Sequence, residues 1–110
     1  MLTIVGGIYR EVCLRPQWDE VYGSAGRAAS AVSRLGGQVT LHGYLDAGLQ
    51  PILECRAADE GFGLSIAPLP RSASFHYSHG LSVPWIQQPE RQSPLSVKAD
   101  HVLRFGMLES

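Results

Sequence analysis

Gly23-Ser24-Ala25-Gly26-Arg27-Ala28-Ala29-Ser30-Ala31-Val32-Ser33-Arg34-Leu35-Gly36-Gly37 is the stretch that decides the fold. A glycine turn opens directly onto a run of small residues, and a glycine pair ends it. Ala28, Ala31, Val32 and Leu35 recur at i, i+3, i+4 and i+7. That spacing makes one apolar stripe and predicts a helix over about 26–35. A stripe built mostly of alanine lets a helix pack close to a sheet, and Gly36-Gly37 ends it as glycine does at a helix C-terminus. Gly23 and Gly26 bring backbone very near something. It is either a ligand, whose oxygens the free helix N–H groups would bind, or a neighbouring strand.

Strands flank this helix. Upstream, Leu2 to Val5 is a short continuous apolar run ending in Gly6-Gly7, which suits a strand buried on both faces. Ile8, Val12 and Leu14 continue the run, broken by Arg10 and Glu11, so the chain is expected to leave the core toward an exposed surface. Arg15 to Glu20 reads as a connecting loop. Downstream, Val39, Leu41, Gly43 and Leu45 alternate with Thr40, His42 and Tyr44, the pattern of a strand. Strand, excursion, glycine turn, helix and strand is the order of a parallel βαβ unit. A second helix is expected from Pro51 to Ala58, with apolar contacts from Ile52, Leu53 and Cys55 and a stop at Gly61. Past Gly61, the segments Leu64–Ala67, Ser72–Tyr77 and Leu81–Ile86 are short and broken by prolines, which predicts antiparallel or edge strands. His101 to Leu108 reads as a further core strand.

With 110 residues a single domain is expected. Apolar residues make up 45% and charged residues 17%, a balance that supports a core and argues against disorder. The net charge is −1 and the nine basic residues are scattered, so neither nucleic acid nor a membrane surface is an expected partner. Cys13 and Cys55 have no metal or redox spacing and read as buried thiols. The opening Met1-Leu2-Thr3-Ile4-Val5 lacks a basic leader, and a cytoplasmic protein is the expectation.

Several residues are candidates for chemistry. Glu11, just past the glycine pair, has a carboxylate able to accept hydrogen bonds from substrate hydroxyls; equally, Arg10 and Glu11 suit the wet side of an edge strand. Arg27 lies near a helix start, where the dipole disfavours a cation. It suits an anionic partner, Glu11, Glu109 or a phosphate, and reads equally as a solvated surface arginine. His42, His76, His79 and His101 have no metal-ligand spacing. Ser74-Phe75-His76-Tyr77 reads as a strand face that packs on a partner or covers a ligand.

With these residues in view, the chain resembles the N-terminal third of the ribokinase-like (PfkB) carbohydrate kinases. Val5-Gly6-Gly7-Ile8-Tyr9-Arg10-Glu11 is similar to that family's opening V-V-G-x-x-x-x-D. Tyr22-Gly23-Ser24-Ala25-Gly26-Arg27-Ala28-Ala29, followed by Leu35-Gly36 and the strand Val39 to Gly43, is similar to its G-G-x-x-x-N-x-A signature. Tyr44 to Gly48 falls where the family often has V-G-D-D. Ala99 through Glu109 looks like the strand whose terminal acidic residue touches sugar.

The resemblance implies an α/β fold: a partial parallel sheet with flanking helices and a small β lid from strands near 9–18 and 72–86. It implies that residues 1–110 are the substrate-binding portion of such a domain, with Glu11, Gly23, Ser24, Arg27 and Glu109 against a sugar or nucleoside-like substrate. Phosphoryl transfer from ATP with Mg²⁺ would belong to an intact enzyme. The family's catalytic G-A-G-D motif and ATP site lie in a C-terminal half that these 110 residues do not contain, so the chain is expected to be a fragment that does not phosphorylate alone. The alternative is a non-catalytic binding or oligomerisation module on the same fold. The resemblance also implies homodimers through the lid strands. Three departures stand out: Glu11 for Asp, Tyr22 for the first Gly and Arg27 for Asn. A guanidinium donates but cannot accept, which implies a substrate bearing a carboxylate or phosphate, or a pairing of Arg27 with Glu11.

Overall fold

A computed structural model describes residues 1–106. The apolar run at the N-terminus forms β1 (Leu2–Gly6), and the alternating segment forms β4 (Val39–Leu45). They pair in parallel, Ile4 beside Leu41. Between them the chain makes β2 (Arg10–Arg15), β3 (Trp18–Val21) and the helix α1 (Gly23–Arg34). After β4 come α2 (Gln50–Glu60), β5 (Gly63–Pro68), β6 (Ser74–His79), β7 (Trp85–Gln87) and β8 (His101–Phe105).

These strands make two sheets. The first is wholly parallel, in the order β5-β4-β1-β8. Ile4, Leu41 and Leu45 on its face, Ala25 and Ala29 of α1, and Leu53 and Ala57 of α2 form one core with Phe62. The second sheet is mixed, in the order β3-β2-β6-β7, with β2 and β6 parallel and the other pairs antiparallel. The chain reaches it from the carboxyl ends of β1 and β5. The second sheet therefore stands beside the edge where α/β sheets place ligand groups.

The α/β class with a partial parallel sheet and flanking helices holds; several details differ from expectation. Helix α1 starts three residues earlier, at Gly23, and its inward face is rotated from the expected stripe, of which Ala28 and Val32 pack partly buried on the core. Ala25, Gly26, Ala29 and Ser30 are buried, whereas Ala31 is exposed and Leu35 is 89% exposed. Close approach explains the rotation. Ala25 N–H donates to the Gly7 carbonyl at 3.1 Å, and a Cβ on Gly6 would lie 3.1 Å from that of Ala25. The smallest residues face the strand, and Leu35 falls outside the contact.

Helix α2 buries Leu53 and Ala57; Ile52 and Cys55 are exposed, so only Cys13 is a buried thiol. Trp18 to Glu20 is strand, not loop: after a tight turn at Pro16-Gln17 they return along β2 as a hairpin. Strand β5 runs parallel to β4 at the sheet edge. Strand β8 is also an edge, with Val102 and Leu103 exposed rather than in the core.

Two glycines show the constraint. Gly23 has φ +69°, and a Cβ there would collide with the Gly7 carbonyl. Gly36 has φ +87° with open space around it; Gly36 N–H donates to Ser33 and Gly37 N–H to Val32, closing the helix by a Schellman pattern. Gly23→Ala is expected to destabilise the protein by about 2–4 kcal/mol, and Gly36→Ala by about 1 kcal/mol, the left-handed backbone penalty alone. Urea unfolding curves check this; equal, small losses at both positions would contradict it.

Candidate functional site

The carboxyl end of β1, the first turn of α1 and the near face of the second sheet meet at one notch. Gly6-Gly7 ends β1, and Gly23-Ser24 opens α1 against it. The earliest N–H groups of a helix have no intrahelical acceptor; Ala25 N–H is used by Gly7. No side chain caps α1 at Tyr22.

Glu11 projects from β2 into this region. It is buried, with its side chain 10% exposed, and Arg27 reaches it from α1. Arg27 Nε and Nη2 both donate to Glu11 Oε1, at 3.2 and 2.9 Å. Among the described residues no donor engages Oε2. Arg27 itself remains half exposed, at 51% of its side chain. The structure thus brings Glu11 and Arg27 into contact, and Gly23 and Ser24 lie one turn before Arg27 on α1. Glu109 lies outside the described residues. Glu11, one of the partners expected for Arg27, is in contact with it.

Aromatic residues wall the notch on the second sheet. Tyr9 stacks on Phe75 with ring centroids 4.2 Å apart, and Phe75 lies in register with Glu11. Tyr77 lies in register with Cys13 and leans on Trp18 at 6.0 Å. Burial pushes the Tyr77 phenol above its ordinary value; Glu11 and Tyr9 push it the same way and Arg27 opposes them.

Three residues that the sequence reading did not place in the site support it. Tyr22 is buried at the start of α1, and its hydroxyl donates to Glu60 Oε1 at 2.9 Å. Burial, then the Glu60 carboxylate, raises its pKa. The Glu60 carboxyl is pushed up by burial, but bonds from Arg34, Tyr22 and Ser30 outweigh that and hold it below its ordinary value. Arg56 Nη2 donates to Glu20 at 3.0 Å. The nearest sequence signal was Tyr22 standing where a glycine was expected.

Behind the notch, Asp46 ties the β4–α2 connection to the β5–β6 connection. Asp46 N–H donates to Ser72 Oγ at 2.8 Å, Ser72 N–H donates to Asp46 Oδ2 at 3.1 Å, and Leu49 N–H donates to Oδ1 at 3.0 Å. The link holds the start of β6, and so the aromatic wall, over the carboxyl end of β4. Among the described residues no three His, Cys, Asp or Glu side chains group so as to hold a metal ion. No described helix is long and apolar enough to cross a membrane.

A parallel sheet with helices packed on it, joined at its carboxyl edge to a small second sheet, is shared with solved sugar and nucleoside kinases. The fold is ribokinase-like. Over 96% of this chain and 38% of its own, the structure of a pyrophosphate-dependent myo-inositol-1 kinase converted by mutation into a myo-inositol-3 kinase matches with a TM-score of 0.68 at 15% identity. A pyrophosphate-dependent kinase of the ribokinase family, complexed with a pyrophosphate analogue and myo-inositol, matches over 69% of this chain and 28% of its own, with a TM-score of 0.58 and 19% identity. The Burkholderia thailandensis nucleoside kinase in complex with inosine matches over 79% and 34%, with a TM-score of 0.62 and 22% identity. This chain therefore spans roughly a third of the length of those ribokinase-like enzymes. No protein-family model and no curated protein matches it.

The Asp46 link gives a pH prediction. Partial burial pushes its carboxyl up, but bonds from Ser72, Leu49 and Gly48 outweigh this and hold it below the ordinary value. A depressed carboxyl stabilises the fold above its unfolded pKa, about 3.9, and that stability is lost as pH falls through the folded value. Asp46→Asn should cost about 1–3 kcal/mol at pH 7 and flatten the acid limb of stability below about pH 4. Unfolding midpoints across pH test it; an unchanged acid limb would contradict it.

Proposed function

We propose that the notch is the acceptor-substrate site of a ribokinase-like kinase, and that this chain is the substrate-binding portion of such an enzyme. The carrying observation is the Glu11 carboxylate: buried, held through one oxygen by Arg27, and with its other oxygen unengaged among the described residues. An ionised carboxylate only accepts, and hydroxyl donors bond it more strongly than they bond a neutral group. A polyol, sugar or nucleoside-like alcohol is the ligand class that supplies such donors. The aromatic wall of Tyr9, Phe75 and Tyr77 offers apolar faces to a ring. The first backbone N–H groups of α1, at Gly23 and Ser24, would donate to ligand oxygens. That related folds are solved with myo-inositol and with inosine supports this class.

The reaction class is phosphoryl transfer to a substrate hydroxyl in the intact protein. There the work of a kinase is positioning and charge stabilisation, and the residues described here supply the first. Glu11 and the α1 N-terminus orient the hydroxyls, and the second sheet covers them as a lid. ATP with Mg²⁺ is the donor in this reading. Among the described residues no three His, Cys, Asp or Glu side chains group around a metal site, and the sequence has no glycine-rich Lys-Ser/Thr phosphate loop. No catalytic step is assigned to these residues. Pairing of two copies through the second sheet belongs to the same reading; Leu14, Leu81, Val83 and Trp85 expose apolar surface there.

Calorimetric titration with myo-inositol, D-ribose, D-glucose and inosine tests the site. At least one should bind, and Glu11→Gln, which keeps the shape and removes the charge, should weaken it about tenfold, or ~1.4 kcal/mol. Binding by none, or full affinity in Glu11→Gln, would refute the assignment.

A further inference from the structure

Glu11 and Glu20 are direct cross-strand neighbours on β2 and β3. Like charges so placed destabilise a sheet. Each is met by a guanidinium from a different helix: Arg27 of α1 on Glu11 and Arg56 of α2 on Glu20. Both guanidiniums lie over one ring. Arg27 Cζ is 5.6 Å and Arg56 Cζ 5.4 Å from the centroid of Tyr22. The negative face of an aromatic ring attracts cations, most effectively where water is scarce. Tyr22 cannot swing away, because it is buried and its hydroxyl is bonded to Glu60, which also takes Arg34.

Resting on the acceptor-site reading above, we propose that Tyr22 and Arg56 are positioning residues that set the charge preference of that site. Tyr22 gives the Arg27 side chain a surface to lie on, so its guanidinium stays at the rim beside Glu11. Arg56 keeps Glu20 neutralised, so that Arg27 is not shared between two carboxylates. A ligand then meets a half-exposed cation next to an almost buried carboxylate. The matching chemistry is a hydroxyl that donates to Glu11 Oε2 and, on the same molecule, a carboxylate that accepts from Arg27. The site is therefore selective for acidic sugars over neutral ones.

D-glucuronate carries a carboxylate where D-glucose carries a hydroxymethyl group, and their affinities for the protein test the idea. The wild type should bind glucuronate about tenfold more tightly. Tyr22→Phe keeps the ring and should keep the preference. Tyr22→Leu and Arg56→Gln should cut it to about threefold or less, with glucose affinity changed less than twofold. Arg56→Gln alters a partly exposed side chain and leaves the ring in place, so it reads out even if Tyr22→Leu fails to fold. A ratio unchanged in Arg56→Gln, or equal loss for both sugars, would overturn the proposal. Glucose binding without preference for glucuronate would overturn it and leave the acceptor site standing. Binding of neither glucose nor glucuronate, with myo-inositol or inosine bound, would also overturn it alone. Binding of no ligand would remove both.

Discussion

The bond from Ala25 N–H to the Gly7 carbonyl is the contact on which the rest of this structure depends. It joins the first turn of α1 to the end of β1 at a separation that side chains would forbid. A Cβ at Gly6 would strike the Phe105 carbonyl, and one at Gly23 would strike the Gly7 carbonyl. A Cβ at Gly43 would lie 2.7 Å from the Gly6 carbonyl and 2.8 Å from Ile8 Cδ1. With these positions bare, backbone packs on backbone, α1 lies flat on the sheet through Ala25 and Ala29, and its N-terminus points into the notch. Propensity alone disfavours a helix opening Gly-Ser-Ala-Gly; tertiary packing sustains it.

Apolar contact and charge together fix the second sheet to this frame: Val21 of β3, and Ile8 just before β2, join the main core. Its β2–β3 hairpin carries Glu11 and Glu20 inward, and helices α1 and α2 answer with Arg27 and Arg56. Partly exposed ion pairs of this kind contribute little stability one at a time. Their effect here is orientational: a hairpin rotated away would leave two adjacent carboxylates uncompensated. The Asp46–Ser72 exchange plays the same part for β6. Both attachments lie at the carboxyl edge of the parallel sheet, so the features that hold the second sheet also shape the site.

How much of this was legible in the sequence follows from which forces are local. Strand β4 and helix α1 were readable because alternation and glycine stops are local signals. The buried face of α1 was not, since side-chain size against a nearby strand decides it, and the hydrophobic stripe pointed to Leu35 instead. The β3 strand was missed because Trp18-Asp19-Glu20 has no alternation; its charges are satisfied by Arg10 within the hairpin and by Arg56 on α2. Glu11 and Arg27 were found as candidates, and their pairing was one of the outcomes expected. Arg56 carries no motif and Tyr22 showed only as a departure from a signature glycine, because their meeting depends on α1 and α2 lying side by side. Cys55 falls on the solvent side of α2, which the weak periodicity of that helix did not reveal.

The central claim is that the ligand sits between the end of β1, the start of α1 and the second sheet. Chemical-shift mapping of backbone amides during titration with a bound sugar tests it most directly. The account predicts that the largest shifts fall at Gly7, Glu11, Gly23, Ser24 and Arg27, with Phe75 following. Shifts centred instead on Thr3, Thr40, His42 and Ser65, the open face of the parallel sheet lined by hydroxyls, would contradict it.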